Sequence, residues 1–375
     1  MRFTQFHSLP PAFAFAALAF THVLAEAAPF GQVIPEVITI ENQKMFISDG
    51  VRMVDGMWDL AHQFLSLDLS TAWTSDAPAW KNLTRRPTGP LELQGSTALT
   101  KDQESILFFT NTTTYKYNIK TDAWDKEPYM NMTYPGFVAV VTDTDSGLIY
   151  GMEHFRVFEV DPDPNSWKFT TLDPATKNFT SVDIQGHQDE DVRTLMVYSS
   201  ASKTIFGYED GFSSKPSTLL SYNTASKSWS PVNTTGDIPP TRQIPCFVSA
   251  YGGKKLIMAG GTDPKRGIDY QDVYIYDVAT SVWTRLADAP RLAWGAVCGA
   301  SGDSLILWGG SRSVNGTEVS YDEGPVILNI ASNTWGNKYY PSGQAPKSSA
   351  DRAALSKIGL VALTLMSVAA SSLVL

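Results

Sequence analysis

The chain has 375 residues, 43% of them apolar, with a formal net charge of −9 and a pI near 5.1. That is enough apolar material for a large buried core, and the mild acidity reads as solubility. The 29 basic residues are scattered and form no stripe, which argues against nucleic acid as a partner.

Residues 1–27 read as a secretory signal peptide. Arg2 is followed by an apolar run from Ala12 to Phe20 and then by small residues. Val23-Leu24-Ala25 and Ala25-Glu26-Ala27 both fit a signal-peptidase site, so the mature chain starts near Glu26 or Ala28. The run is too short to span a bilayer.

Residues 28–341 are organised by repetition. Leu256-Ile257-Met258 is an apolar strand followed by Gly260-Gly261 and a polar loop; a second strand, Val273 to Asp277, then leads to Trp283. The same pattern returns in Leu305 to Trp308, Gly309-Gly310, Val326 to Asn329 and Trp335. The glycine pairs lie 49 residues apart and the tryptophans 52 apart, a period typical of stacked or radial units. Searching backwards for Asp or Asn at a strand end, with an aromatic residue about six positions on, gives further markers. They are Asn223 with Trp229, Asp173 with Phe179, Asn118 with Trp124, and Asp68 with Trp73, the last one residue short. Asp161 with Trp167 is an alternative in the third unit, but its spacing to the neighbouring markers is uneven. With Phe179 the markers Trp73, Trp124, Phe179, Trp229, Trp283 and Trp335 step by 51, 55, 50, 54 and 52 residues. Phe155 to Val160 then falls in an extended hairpin of that unit. Apolar strands precede the earlier markers at Met45–Ile47, Ile106–Phe109, Leu148–Tyr150 and Thr204–Phe206, and one more strand opens each unit, as in Phe247–Tyr251 and Ala296–Ala300. The pattern therefore predicts an all-β chain of four-stranded units with no amphipathic helix of useful length. Each marker aromatic is expected to pack between adjacent sheets, and each Asp or Asn to cap the following turn. No C-terminal strand is evident to complete the first unit, so any latch of the ring is expected from residues 33–40.

Gly-Gly after an apolar strand, Tyr-Asp at a strand end and Trp six residues on resemble kelch repeats, and Arg242 and Arg291 just before their first strands add to the likeness. The resemblance covers roughly residues 33–341 and is most regular in the last three units. It implies a kelch-type β-propeller, with six blades from the marker count and seven as the alternative. The architecture is similar to that of fungal surface kelch proteins.

The kelch superfamily includes copper-radical oxidases of the galactose oxidase type. Their chemistry needs two tyrosines, two histidines and a cysteine cross-linked to one tyrosine. Here the mature chain has only His62, His154 and His187, in three different units, and no matching motif around either cysteine. Plant specifier proteins of the same superfamily hold iron with Glu, Asp and His. The one comparable cluster here is His187-Gln188-Asp189-Glu190-Asp191, which reads as a solvated loop. Gly-x-Ser-x-Gly, His-Glu-x-x-His and phosphate-loop motifs are absent from the sequence. The reading is a binding module without catalytic residues, cofactor or metal; a secreted oxidase and a structural cell-wall glycoprotein are the alternatives. Its ligand face is expected in the loops Asp49–Gln63, Thr262–Asp272 and Ser311–Asp322, which follow second strands and carry Trp58, His62, Arg266, Tyr270, Arg312 and Tyr321. The expected partner is a protein or a cell-wall glycan.

Residues 342–357 read as a stalk rich in Ser, Ala and Pro. An uncharged apolar tail, 358–375, follows and would span ~27 Å as a helix. Arg352 and Lys357 precede the tail, and Ser348-Ser349-Ala350 lie a short spacer upstream. This order fits a GPI-attachment signal with Ser348 or Ser349 as attachment residue; a retained transmembrane helix is the alternative. Sequons at Asn82, Asn111, Asn131, Asn178, Asn233 and Asn315 fit the secretory route to the cell surface. That compartment permits a disulfide between Cys246 and Cys298, the only cysteines, with two separate buried thiols as the alternative.

Overall fold

A computed structural model describes residues 36–344, apart from 49, 55–56, 61–62, 86–95, 111–112, 126–128, 132–136, 155–166, 184–192, 211–218, 225, 264, 292–293, 315–316 and 321–323. Residues 1–27, expected as a leader, the apolar segment 358–375, Ser348 and Ser349, expected as attachment sites, and the segment 155–160 lie outside the described residues.

The regular elements described are all strands. Blade one contains β1 (Glu36–Ile40), β2 (Lys44–Ser48), an inserted hairpin of β3 (Val51–Val54) and β4 (Met57–Leu60), then β5 (Phe64–Asp68), the short β6 (Trp73–Thr74) and β7 (Trp80–Asn82). Blade two contains β8 (Ser96–Leu99), β9 (Ser105–Phe109), β10 (Thr113–Asn118), β11 (Ala123–Trp124) and β12 (Met130–Asn131). Blade three is β13 (Phe137–Thr142), β14 (Ile149–His154), β15 (Trp167–Asp173) and β16 (Asn178–Asp183). Blade four is β17 (Arg193–Ser199), β18 (Thr204–Asp210), β19 (Leu219–Asn223) and β20 (Ser228–Pro231). Blade five is preceded by β21 (Thr235–Gly236), which adds in parallel to its outer edge, and contains β22 (Cys246–Ala250), β23 (Lys255–Ala259), β24 (Val273–Asp277) and β25 (Val282–Arg285). Blade six contains β26 (Val297–Ser301), β27 (Ser304–Trp308), a hairpin of β28 (Ser311–Val314) and β29 (Thr317–Ser320), then β30 (Val326–Asn329) and β31 (Thr334–Gly336). β32 (Lys338–Tyr339) follows.

Each blade is an antiparallel meander of four principal strands. Their first strands neighbour one another in the closed order β1, β8, β13, β17, β22, β26 and back to β1. The molecule is a six-bladed β-propeller.

The apolar runs follow from this arrangement. A second strand is covered on both faces by neighbouring blades, so β9 and β27 are buried at every residue. Six separate apolar clusters form the core, one at each blade boundary. The Asp or Asn ending each third strand caps the next turn. The Oδ1 atoms of Asp68, Asn118, Asp173, Asn223, Asp277 and Asn329 accept backbone N–H groups two or three residues on, at 2.7–2.9 Å.

Two marker readings need correction. In blades two to six the marker sits opposite the residue before the capping Asp or Asn: Tyr117 with Trp124, Leu172 with Phe179, Tyr222 with Trp229, Tyr276 with Trp283, Leu328 with Trp335. In blade one that register position belongs to Trp80, opposite Leu67. Trp73 lies in an inserted corner and packs in the same inter-blade cluster, stacked on Tyr339 at 5.0 Å. Phe179 holds the register position in blade three but is 37% exposed, more than the marker tryptophans, which are buried or half-buried. Trp124 and Trp335 also donate their indole N–H across the boundary, to the carbonyls of Thr84 and Ala287 at 2.7 and 3.0 Å.

Ring closure differs from the expectation as well. β1 is the inner strand of blade one, and the latch is C-terminal: β32 pairs with β6. Tyr339 is fully buried, and its hydroxyl donates to the Leu69 carbonyl at 2.9 Å and lies 3.1 Å from the Ser301 hydroxyl. A two-residue strand lacks the length to show as a periodic pattern. A disulfide joins Cys246 to Cys298, stapling the inner strands of blades five and six with 5.8 Å between their Cα atoms.

The two faces of the ring differ. Short turns between first and second strands, and between third and fourth, crowd one face, here the turn face. Polar contacts cross blade boundaries there: Asn42 N–H to Ser301 Oγ at 3.0 Å, Ser199 Oγ to the Gly253 carbonyl at 2.6 Å, Tyr198 to Asp145 at 2.9 Å, and Tyr251 to Asp303 at 3.0 Å. The opposite, loop face carries the connections from second to third strands and from each blade to the next.

Candidate functional site

The glycine pairs place the loops of the site. As each of blades five and six begins, the incoming segment crosses its own second strand so closely that a side chain would collide. A Cβ on Gly261, whose φ is +86°, would sit 2.5 Å from the Gln243 carbonyl oxygen. One on Gly310 would sit 2.9 Å from the Ala296 nitrogen. The crossings are fastened by backbone bridges, Gln243 with Thr262 and Trp294 with Ser311.

The loop 262–272 is anchored on Arg242, whose side chain is fully buried. Its guanidinium forks onto Asp272, Nη1 to Oδ1 at 2.6 Å and Nη2 to Oδ2 at 3.1 Å. It also donates to the Gly260 and Pro240 carbonyls at 2.9 and 3.1 Å. The rings of Tyr270 and Tyr274 lie 4.5 and 5.2 Å from the guanidinium carbon. Tyr274 donates to Asp272 at 3.0 Å, and burial, then the Asp272 charge, raises its hydroxyl above the usual tyrosine range. Toward the loop tip Arg266 pairs with Asp263 at 2.7 Å. The Arg266 side chain, helped by the Arg266 and Lys265 amides, holds the Asp263 carboxyl well below its usual range. The loop is thus set by contacts within blade five. It offers an exposed Arg266 and an Ile268 that is 52% exposed.

Of the six sequence-derived ligand-face residues, Arg266 lies on this exposed tip. Tyr270 is half-buried against Arg242, which gives it an anchoring part. Trp58 sits in β4 in register with Met53, and Arg312 in β28 in register with Val319. His62 and Tyr321 lie outside the described residues. The three loops belong to consecutive blades, five, six and one, and β29 of the blade-six hairpin lies against β3 of the blade-one hairpin. Sequence reasoning used Arg242 only as a repeat mark and passed over Asp272 and Asp263. The signal available was Arg242 itself, an arginine a few residues ahead of a buried strand in a repeat that ends its loop with Asp272.

A central channel of about 620 Å³ runs between the six first strands. Its lining is aliphatic and hydroxylated, with Glu41 as the carboxylate among the described lining residues. Among the described residues, no group of three His, Cys, Asp or Glu side chains is placed to hold a metal ion. His187 and the cluster that follows it lie outside them, and His154 is placed in β14 by its backbone alone. Of the sequons, Asn178 and Asn233 are exposed and Asn82 is half-buried, Asn131 lies in β12, and Asn111 and Asn315 fall outside the described residues. Among the described residues, no helix is long and apolar enough to cross a membrane.

Fold and site together define a β-propeller with an elaborated loop face. No protein-family model matches the chain. Among solved structures it is similar to one titled "Structure of YjhT", with a TM-score of 0.54 and 14% sequence identity over 82% of this chain and 97% of that one. The likeness carries the fold alone.

Proposed function

We propose that the chain is a secreted, N-glycosylated binding module of the kelch type, tethered at the cell surface through its C-terminal segment. In this reading the loop face of blades five, six and one meets a protein or glycan partner. The observations that carry it are the contact of hairpin β28–β29 with β3 across the blade-six to blade-one boundary and, in the preceding blade, a loop 262–272 anchored on buried Arg242. A loop fixed before binding loses little conformational entropy on contact. The copper-radical alternative needs a free thiol to cross-link to a tyrosine, and the two cysteines of the chain are bonded to each other, which counts against it.

The test is a screen of the secreted ectodomain, residues 28–344, against cell-wall polysaccharides and surface glycoproteins. Arg266→Ala and replacement of residues 313–318 by a short Gly-Ser turn, which leaves the Trp294–Ser311 bridge in place, are expected to weaken capture at least tenfold while leaving the unfolding midpoint near that of the parent. Capture unchanged in both variants would remove the loop face from the reading. Release of the protein from cells by a phosphatidylinositol-specific phospholipase tests the tether separately.

A further inference from the structure

The fourth strands form the outer rim of the propeller, and each presents an open backbone edge. Such edges template pairing with another chain unless they are short, charged, interrupted by proline or covered. Most of this rim is managed in one of those ways. β7 is three residues long and contains Lys81; β11 has two residues and β31 three. β20 ends on Pro231, and β25 is covered by β21. β16 is the least protected of the six, its one charge being the terminal Asp183. It has six residues, Asn178–Asp183, with neither proline nor lysine, and among the described residues it pairs only with β15. Residues 178–182 are exposed, including Phe179 at 37% and Val182 at 47%, two of the four large apolar side chains exposed among the described residues. A six-residue edge that exposes two large apolar side chains is a hazard for self-association.

The sequon Asn178-Phe179-Thr180 occupies the first three positions of this strand. We propose that Asn178 carries an N-linked glycan that shields the edge of β16 and keeps copies of the propeller from pairing there. The chemistry is the transfer of an oligosaccharide to the Asn178 side-chain amide, with a lipid pyrophosphate as leaving group, supplied by the secretory pathway. Of the other sequons, Asn82 lies in β7, Asn131 in β12, and Asn233 between β20 and β21; the outer strands of blades five and six, β25 and β31, carry none. A bulky, solvated sugar at the start of the strand obstructs the approach of a second backbone along its length. The inference rests on the secretory reading of the chain.

The experiment uses the chain expressed through a eukaryotic secretory pathway. Glycopeptide mass spectrometry reads occupancy at each sequon, and light scattering after size exclusion reads mass. Asn178 is expected to be occupied and the protein monomeric. Asn178→Gln and Thr180→Ala, two independent ways to lose the sequon, are expected to double the mass or more at micromolar concentration. Adding Val182→Lys to Thr180→Ala is expected to restore the monomer. An unoccupied Asn178 in protein whose Asn233 is occupied would overturn the proposal, as would a Thr180→Ala variant that stays monomeric. If no sequon is occupied, the secretory reading fails first and takes this inference with it.

Discussion

Arg242→Ala is the sharpest perturbation of the loop anchor. The substitution leaves Asp272, only 7% exposed, without its two charge-assisted hydrogen bonds, and strips the Gly260 and Pro240 carbonyls of a donor. It also empties the space between Tyr270 and Tyr274. Removing one partner of a buried ion pair costs about 3–5 kcal/mol, chiefly because the other charge stays buried and unpaired. The same reasoning says the pair itself stabilises less than its loss suggests. Arg242→Met combined with Asp272→Leu is therefore expected to be less destabilising than Arg242→Ala alone, a coupling of at least ~2 kcal/mol. Urea unfolding followed by tryptophan fluorescence measures both. Amide exchange should show lost protection over 262–272 in the single variant, while the turns of blades two and three stay unchanged. A cost below ~1 kcal/mol for Arg242→Ala, or simple additivity of the Met and Leu substitutions, would refute the anchoring argument.

Three further outcomes follow from other parts of the ring. The Cys246–Cys298 bond closes a 52-residue separation, so chain entropy gives it about 4 kcal/mol; a Cys246→Ala, Cys298→Ala protein should unfold at clearly lower urea, and an unchanged midpoint would count against the staple. Asp277 is lowered to about 2, first by its hydrogen bond from Lys255. Because the folded value lies below the unfolded one, this stability is present above pH ~4 and is lost as pH falls toward 2; Asp277→Asn, which keeps an acceptor for the turn, should flatten the acid limb of a midpoint-against-pH curve. Lys227 ends the turn of blade four at φ 54°. Lys227→Gly should raise stability by about 0.5–1 kcal/mol in the same urea assay, since glycine adopts that conformation without the Cβ penalty.

What the sequence made legible was whatever repeats locally. The capping Asp and Asn residues and the aromatic residue beyond them are short-range features, and they carried the blade count. Trp80 was hidden because blade one inserts a corner between Asp68 and its outer strand, which carries the true register partner twelve positions on and leaves Trp73 at a misleading spacing. The latch was hidden because β32 has two residues and finds its partner far away in sequence. Arg242 was visible, but its role depends on Asp272 thirty residues later, a pairing that no period announces. The ligand-face loops were legible as loops, and the contact between the blade-six and blade-one hairpins followed from ring closure rather than from any residue within them.

The latch also fixes where the described chain begins and stops. β1 runs from Glu36 toward the turn at Asn42, so the chain comes into the ring on the loop face. Past Tyr339 it returns to the turn face, where the Ser342 amide lies 3.3 Å from Asn42 Oδ1. The two ends of the propeller therefore leave from opposite sides of the disc. A fusion partner at the front would crowd the face with the long loops, and one at the back would leave that face open, so the end chosen for immobilisation decides which side of the molecule an incoming partner meets.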